Sequence, residues 1–364
     1  MCALARPGSV HLQAVVAPCQ RPPSPQAFSL PSVHQELLEH SRMASKLGVR
    51  ENACAPLDCP LEARMPIRGL HLLLTYLCNY ECDHCFVWGS PRQRGVMTLA
   101  MIQRILDQAD ELDEIEWIYF EGGEPFLYYP VLLAGAKKAA ARGYRVGLVT
   151  NAYWATSKED ARIWLEPFAG MVEDLSVSSD LYHGESGLSD EANAALNAAE
   201  VMGIPADVIA IAQPEDMNAR PARGMLPPGE SALMYRGRAA EVLGPHATTH
   251  DWASFDTCPY EDLAAPGRVH LDPFGYIHLC QGIALGNILE DPLTAIFAGY
   301  EPSAHPIAGP LIEGGPAELV RRYGLEHTQA YADACHLCDH ARRQLRARFP
   351  RILAPDAMYG IDKG

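Results

Sequence analysis

Three cysteines, Cys78, Cys82 and Cys85, are spaced C-x3-C-x2-C within Leu72 to Phe86, which reads LLLTYLCNYECDHCF. Placed on a loop, thiols at that spacing can turn toward one point, whereas a strand would send neighbouring side chains to opposite faces. Three soft thiolates suit an iron-sulfur cluster or zinc. A cubane cluster normally takes four thiolates, so three leave one iron without a protein ligand and open to chemistry. Four more cysteines, Cys258, Cys280, Cys335 and Cys338, form a second group. They match the ligand number of one fully coordinated cubane and are equally adequate for a structural zinc. The other four of the eleven, Cys2, Cys19, Cys54 and Cys59, share the N-terminal segment, and Cys54 and Cys59 read as ordinary thiols. Disulfides would not persist in a reducing compartment, so metal binding is the leading explanation of this cysteine content.

The elements that must position these groups follow from the apolar pattern. Short runs at Leu70 to Leu77, Ile115 to Phe120, Tyr144 to Val149, Asp174 to Ser178 and Pro205 to Ile211 read as strands buried on both faces, with a weaker sixth at Ala232 to Tyr235. Helical segments alternate with them. Thr98 can cap one whose Leu99, Ile102, Ile105, Leu106 and Leu112 make an apolar face, and Gly143 and Gly203 suit helix C-termini. The repeating βα spacing predicts an α/β fold with a parallel sheet, whose site lies at the C-terminal edge of the strands. Arg268 to Cys280, RVHLDPFGYIHLC, reads as two strands joined at Asp272-Pro273-Phe274-Gly275. Residues 1–65 are expected to be a flexible Pro-rich segment with a short helix over 32–47, and residues 346–364 a C-terminal tail.

A chain of 364 residues, 48% of them hydrophobic, can bury a sizeable core. Its formal charge of -16 argues against a broad grip on nucleic acid. No apolar run reaches the roughly 18 residues that span a bilayer, and a cytoplasmic protein is expected.

C-x3-C-x2-C at the end of a first barrel strand resembles the radical S-adenosylmethionine (SAM) superfamily. Further motifs fall in that family's order: Gly122-Gly123-Glu124-Pro125 after the second predicted strand, Thr150-Asn151 after the third and Ser176 to Asp180 after the fourth. The resemblance implies a partial (β/α)6 radical SAM barrel over 66–240. Cys78, Cys82 and Cys85 would hold a [4Fe-4S] cluster whose open iron chelates SAM. Its implied cofactor-binding residues are His84, at the family's aromatic position, with Gly122, Gly123, Glu124, Asn151, Ser178 and Asp180. Related enzymes often place an Arg soon after the fourth strand, and Leu181 to Ala199 contains none.

Gly275-x4-Cys280 followed by Gly286-Asn287-Ile288 resembles the C-terminal SPASM and twitch modules of the same enzymes, expected here over 250–345. The shorter twitch-like form fits four cysteines, with Cys258, Cys280, Cys335 and Cys338 closing an auxiliary [4Fe-4S] cluster. Arg238 lies in a Gly-Arg-Ala segment like those where such barrels hand over to the module, and is expected in an interdomain salt bridge. Tyr182 and His183 should face the barrel mouth, and Arg342, Arg343, Arg346 and Arg348 should form a solvated basic face.

The implied activity is reductive cleavage of SAM to a 5′-deoxyadenosyl radical that abstracts hydrogen from a substrate. A flavodoxin or ferredoxin would donate the electron. Oxidative modification of a peptide or protein is the favoured reaction. A small-molecule dehydrogenase, for example of an aminosugar, is the alternative, and a non-catalytic iron-sulfur carrier or sensor is the reading from another class.

Overall fold

The computed structural model describes residues 65–184, 188–214 and 230–361, all within one compact unit, Leu61–Gly364. The predicted N-terminal helix and Cys2, Cys19, Cys54 and Cys59 lie outside the described residues. Five parallel strands carry the barrel half: β1 (Gly69–Thr75), β2 (Trp117–Gly122), β3 (Arg145–Thr150), β4 (Val172–Ser178) and β5 (Ala206–Ile211). They alternate with helices α1 (Leu99–Ala109), α2 (Tyr129–Ala141), α3 (Lys158–Leu165) and α4 (Asp190–Met202). The caps are those the sequence indicates. The Thr98 side chain accepts from Met101 N, and Gly203 ends α4 at φ 67° in the left-handed conformation.

A short parallel sixth strand, β6 (Glu230–Ser231), follows β5, so the predicted run at Ala232 to Tyr235 lies just beyond the strand. There the chain leaves the sheet edge: Arg236 N turns back to Met234 O, and Arg238 N reaches Cys85 O in the cysteine loop. Helix α5 (Arg238–Val242) and the short strand β7 (His250–Asp251) come next. The predicted hairpin is present as β8 (Arg268–Leu271) and β9 (Tyr276–Cys280), followed by β10 (Ile283–Asn287). Helices α6 (Leu293–Ala298) and α7 (Ala308–Tyr323), strand β11 (Ala330–Tyr331) and helix α8 (Ala334–Leu345) complete the described elements.

Strand β8 lies parallel to β1, so the hairpin continues the barrel sheet in the order β10-β9-β8-β1-β2-β3-β4-β5-β6. Among the described residues the sheet is mostly parallel and forms no closed barrel. Leu70, Leu72, Ile118, Phe120, Val146 and Leu148 share a core with the apolar faces of α1 to α4. A second core gathers Leu73, Tyr76, Leu279, Leu311, Leu337, Leu353 and Tyr359, and so takes in residues from the C-terminal end of the chain. Among the described residues no helix is long and apolar enough to cross a membrane.

Asp272 ties the hairpin to the strand that leads into the cysteine loop. Fully buried, it accepts from Tyr76 Oη at 2.9 Å, Phe274 N at 2.9 Å and Tyr276 N at 3.0 Å, with His278 Nε2 at 3.2 Å. Asp272→Ala strands several of these donors. At about 1–3 kcal/mol per unsatisfied buried group, a net loss of about 3 kcal/mol is expected in urea unfolding, and a change below roughly 0.5 kcal/mol would refute this role.

Candidate functional site

The C-terminal edges of β1 to β5 and the segment after β6 line a cavity of about 280 Å3. Cys78, Cys82 and Cys85 line it together with His84, Gly122, Gly123, Asn151 and Ser178. Two other residues indicated by the sequence take different places. Glu124 is fully buried and does not line the cavity. It accepts from Phe126 N (3.0 Å), Thr150 Oγ1 (2.9 Å) and Asn151 N (2.8 Å), clamping the turn after β2 to the end of β3. Its burial pushes the carboxyl up to about 7. Asp180 accepts from Tyr182 N and Ile211 N and contacts His183 Nδ1 at 2.7 Å, so it holds the post-β4 loop against β5. His183 lines the cavity and stands edge-on to His84 at 5.4 Å. Burial pulls His84 down to about 4.

The cysteine loop is held by backbone and side-chain donors. Tyr80 N lies 3.4 Å from Cys78 Sγ, Gly89 N 3.2 Å from Cys85 Sγ, and Asn151 Nδ2 3.6 Å from Cys78 Sγ, donors of the kind that tune sulfur-ligated iron. Gly123 is forced by proximity, because a Cβ there would stand 2.2 Å from Leu77 O. Burial pushes the Cys78 thiol up to about 12 and raises that of Cys82 as well, a penalty that a bound cation would offset.

Arg238 differs from the interdomain salt bridge expected. Its guanidinium donates to Cys82 O and Gly89 O, each at 2.7 Å, and so fixes the fold of the loop itself, with Glu81 no closer than 3.9 Å. Gly237 makes that approach possible: at φ 61°, a Cβ would meet Phe86 O at 2.6 Å.

Cys258, Cys280, Cys335 and Cys338 converge on a second cavity, and all four are free of disulfides. Cys335 is the second residue of α8, in the first turn where the helix dipole favours anionic sulfur, and Cys338 follows it about one turn on. The cap Asp333 accepts from His336 N at 2.7 Å. Arg342, one turn beyond Cys338, is buried beside this cavity and donates to Gln281 O. That corrects the solvated basic face expected of this helix: charge-run reasoning assigned Arg342 to solvent, but helical periodicity puts it on the face that carries the cysteines.

The residue missed by sequence reasoning is Arg236. Only 6% exposed, it lines both cavities, with Nη1 3.4 Å from Cys280 Sγ and 3.4 Å from Glu261 Oε1, and its guanidinium carbon 5.2 Å from the Phe86 ring centre. The sequence offered one signal, its place beside Gly237 and Arg238, but nothing local says that one guanidinium reaches two sites.

Both cysteine groups fit a cluster better than a lone zinc. Among the described residues no three cysteine sulfurs lie within 4.8 Å of one another. Thiolates sharing one tetrahedral zinc at about 2.3 Å would stand only about 3.8 Å apart.

Residues 72–176 match the Radical SAM superfamily. The chain therefore carries a radical SAM domain, whose cofactors are a [4Fe-4S] cluster and S-adenosylmethionine. Among curated proteins it is similar to the tungsten-containing aldehyde ferredoxin oxidoreductase cofactor-modifying protein of Pyrococcus furiosus, at 33% identity over 86 residues, 23% of this chain and 24% of that protein. It is also similar to YydG of Bacillus subtilis, a protein named for peptide biosynthesis, at 29% identity over 107 residues, 29% of this chain and 34% of that protein. The chain thus spans about a quarter to a third of the length of these relatives. Among solved structures, BtrN in complex with AdoMet and 2-DOIA gives a TM-score of 0.47 at 14% identity, covering 75% of this chain and 92% of that one.

Proposed function

We propose that this protein is a radical SAM enzyme that oxidatively modifies a peptide, using a second, fully ligated cluster beside the first. The observation that carries the reading is the pair of cysteine-lined cavities with Arg236 on the wall of both. When bound, the cluster and S-adenosylmethionine supply a 5′-deoxyadenosyl radical that abstracts hydrogen from a substrate. Cys78, Cys82 and Cys85 are the ligands of the first cluster, and the count of three leaves one iron for the amino acid portion of the nucleotide. Gly122 and Gly123 leave backbone uncovered on the cavity wall where that portion would be held, while Asn151 and Ser178 offer polar groups on the same wall. Glu124, Asp180 and Arg238 act as positioning residues, because their partners are the loops that shape the cavity. Cys258, Cys280, Cys335 and Cys338 are the ligands of the second cluster. With no ligand position left open, such a cluster would supply one-electron redox capacity beside the first site and no iron open to substrate.

A peptide substrate is supported by the naming of the Bacillus subtilis relative for peptide biosynthesis. A flavodoxin or ferredoxin is the proposed electron donor, and a reducing compartment suits thiolate-bound iron. The test is anaerobic: the reconstituted full chain is given S-adenosylmethionine, dithionite and a panel of candidate peptides encoded near its gene. Formation of 5′-deoxyadenosine with a two-hydrogen mass loss in a peptide is the expected outcome. Intact clusters without 5′-deoxyadenosine would make the protein a carrier, and turnover of an aminosugar in place of any peptide would make it a small-molecule dehydrogenase.

A further inference from the structure

Three adjacent strands direct an unassigned group of side chains to the inner side of the sheet. His71 on β1 pairs in register with Tyr119 on β2 and with His270 on β8, and Glu121 lies two residues beyond Tyr119. Alternation along β1 and β2 sends Leu70, Leu72, Ile118 and Phe120 to the helix-covered core and leaves His71 and Glu121 on the opposite face. His71 Nδ1 stands 3.4 Å from Glu121 Oε2, and His270 Nε2 stands 3.2 Å from Glu121 Oε1. One ligand atom from each of the three residues falls within 4.8 Å of the other two. The group is sheltered, with side-chain exposures of 17% for His71, 14% for Glu121 and 8% for His270.

We propose that His71, Glu121 and His270 bind one divalent cation of the zinc class, at a site separate from both cysteine groups. Ligands at about 2.0–2.2 Å from a tetrahedral metal are about 3.3–3.6 Å apart, close to the two separations of 3.4 Å and 3.2 Å. Those separations are long for N–H···O hydrogen bonds, whose mode is about 2.9 Å. Glu121 Oε1 makes no hydrogen bond even though His270 Nε2 faces it, and His270 Nδ1 is likewise without one. Enclosed polar atoms left in this state call for an explanation, and a bound ion supplies one for the carboxylate. Two imidazoles and a carboxylate form the donor set of many zinc and iron(II) sites. The ring of His71 is kept in place by stacking on Tyr119 at 4.5 Å, whose hydroxyl donates to Asp174 at 3.0 Å.

A cation here would fasten β8, the first strand of the C-terminal hairpin, to β1 and β2, whose ends carry Cys78 and Gly122. Glu121 also lines the 280 Å3 cavity, so the ion would brace one wall of it. Nothing in the proposal depends on the radical reaction, and the two can fail independently.

The test uses the full chain with its iron-sulfur sites reconstituted, incubated with zinc chloride and freed of excess metal by gel filtration. Roughly one zinc should be retained, with nitrogen and oxygen neighbours and imidazole scattering at the zinc absorption edge. Glu121→Gln and His71→Gln should each lose that zinc while iron and acid-labile sulfide stay at the wild-type level. Failure to retain zinc would overturn the proposal. So would a sulfur shell at about 2.3 Å, or retention undiminished in folded Glu121→Gln and His71→Gln proteins. Should both variants misfold, the absorption spectrum of the wild-type protein still decides the ligands.

Discussion

Cys82→Ala should abolish 5′-deoxyadenosine formation and leave roughly half of the iron, about four atoms per chain in place of about eight. The asymmetry is the informative part. Cys82 belongs to the loop after β1, whereas Cys258, Cys280, Cys335 and Cys338 line a separate cavity built from the hairpin and α8. On the proposed assignment, losing one of three ligands would remove the cluster with an open corner, while the fully ligated one would keep its complete set. Because Cys82 is only half-buried and its loop is held mainly by Arg238 and backbone bonds, the fold should survive, with far-ultraviolet circular dichroism unchanged. Complete loss of iron would mean that the two sites are not independent, and continued 5′-deoxyadenosine production would remove Cys82 from the ligand set. Iron and sulfide analysis, with chromatography of the nucleoside product, decides both points.

Arg236→Met should lower the reduction potential of the auxiliary cluster by on the order of 100 mV. A cation beside a cluster favours its more negative, reduced state, so removing the cation makes reduction harder. At an effective dielectric of about 20 and a separation of about 5 Å, one charge contributes about 3 kcal/mol, and about 1.4 kcal/mol corresponds to about 59 mV for one electron. The guanidinium lies 3.4 Å from Cys280 Sγ and is almost wholly buried, so solvent screens it weakly. Arg236→Lys should recover most of the potential, because charge and not fork geometry sets it. Functionally, Arg236→Met should continue to form 5′-deoxyadenosine while yielding less oxidised product. A potential unmoved by Arg236→Met in redox titration, with the cluster intact, would show that Arg236 only packs against Phe86 and pairs with Glu261.

Arg342 adds a second buried cation beside the same cysteines. Two guanidinium groups around four thiolates balance the net charge expected of a cubane with four cysteine ligands, and burial is then tolerable for both partners. Neither cation follows from local sequence. Arg342 lies in a basic run that resembles an ordinary exposed face until the helix phase is tied to Cys335 and Cys338, and Arg236 reaches Cys280 across 44 residues of sequence.

The chain by itself determined the five parallel strands, the caps at Thr98 and Gly203, the hairpin around Asp272-Pro273-Phe274-Gly275 and the membership of the two cysteine groups. These are legible because hydrophobic period, turn chemistry and ligand spacing act over a few residues. Tertiary structure alone decided that Glu124 and Asp180 spend their oxygens on neighbouring loops, that Arg238 closes the cysteine loop, and that His71, Glu121 and His270 meet. Each of these depends on strand register or on the path of a segment many residues away, and a side chain's partner across a sheet is set by which strands pair, which no local pattern encodes.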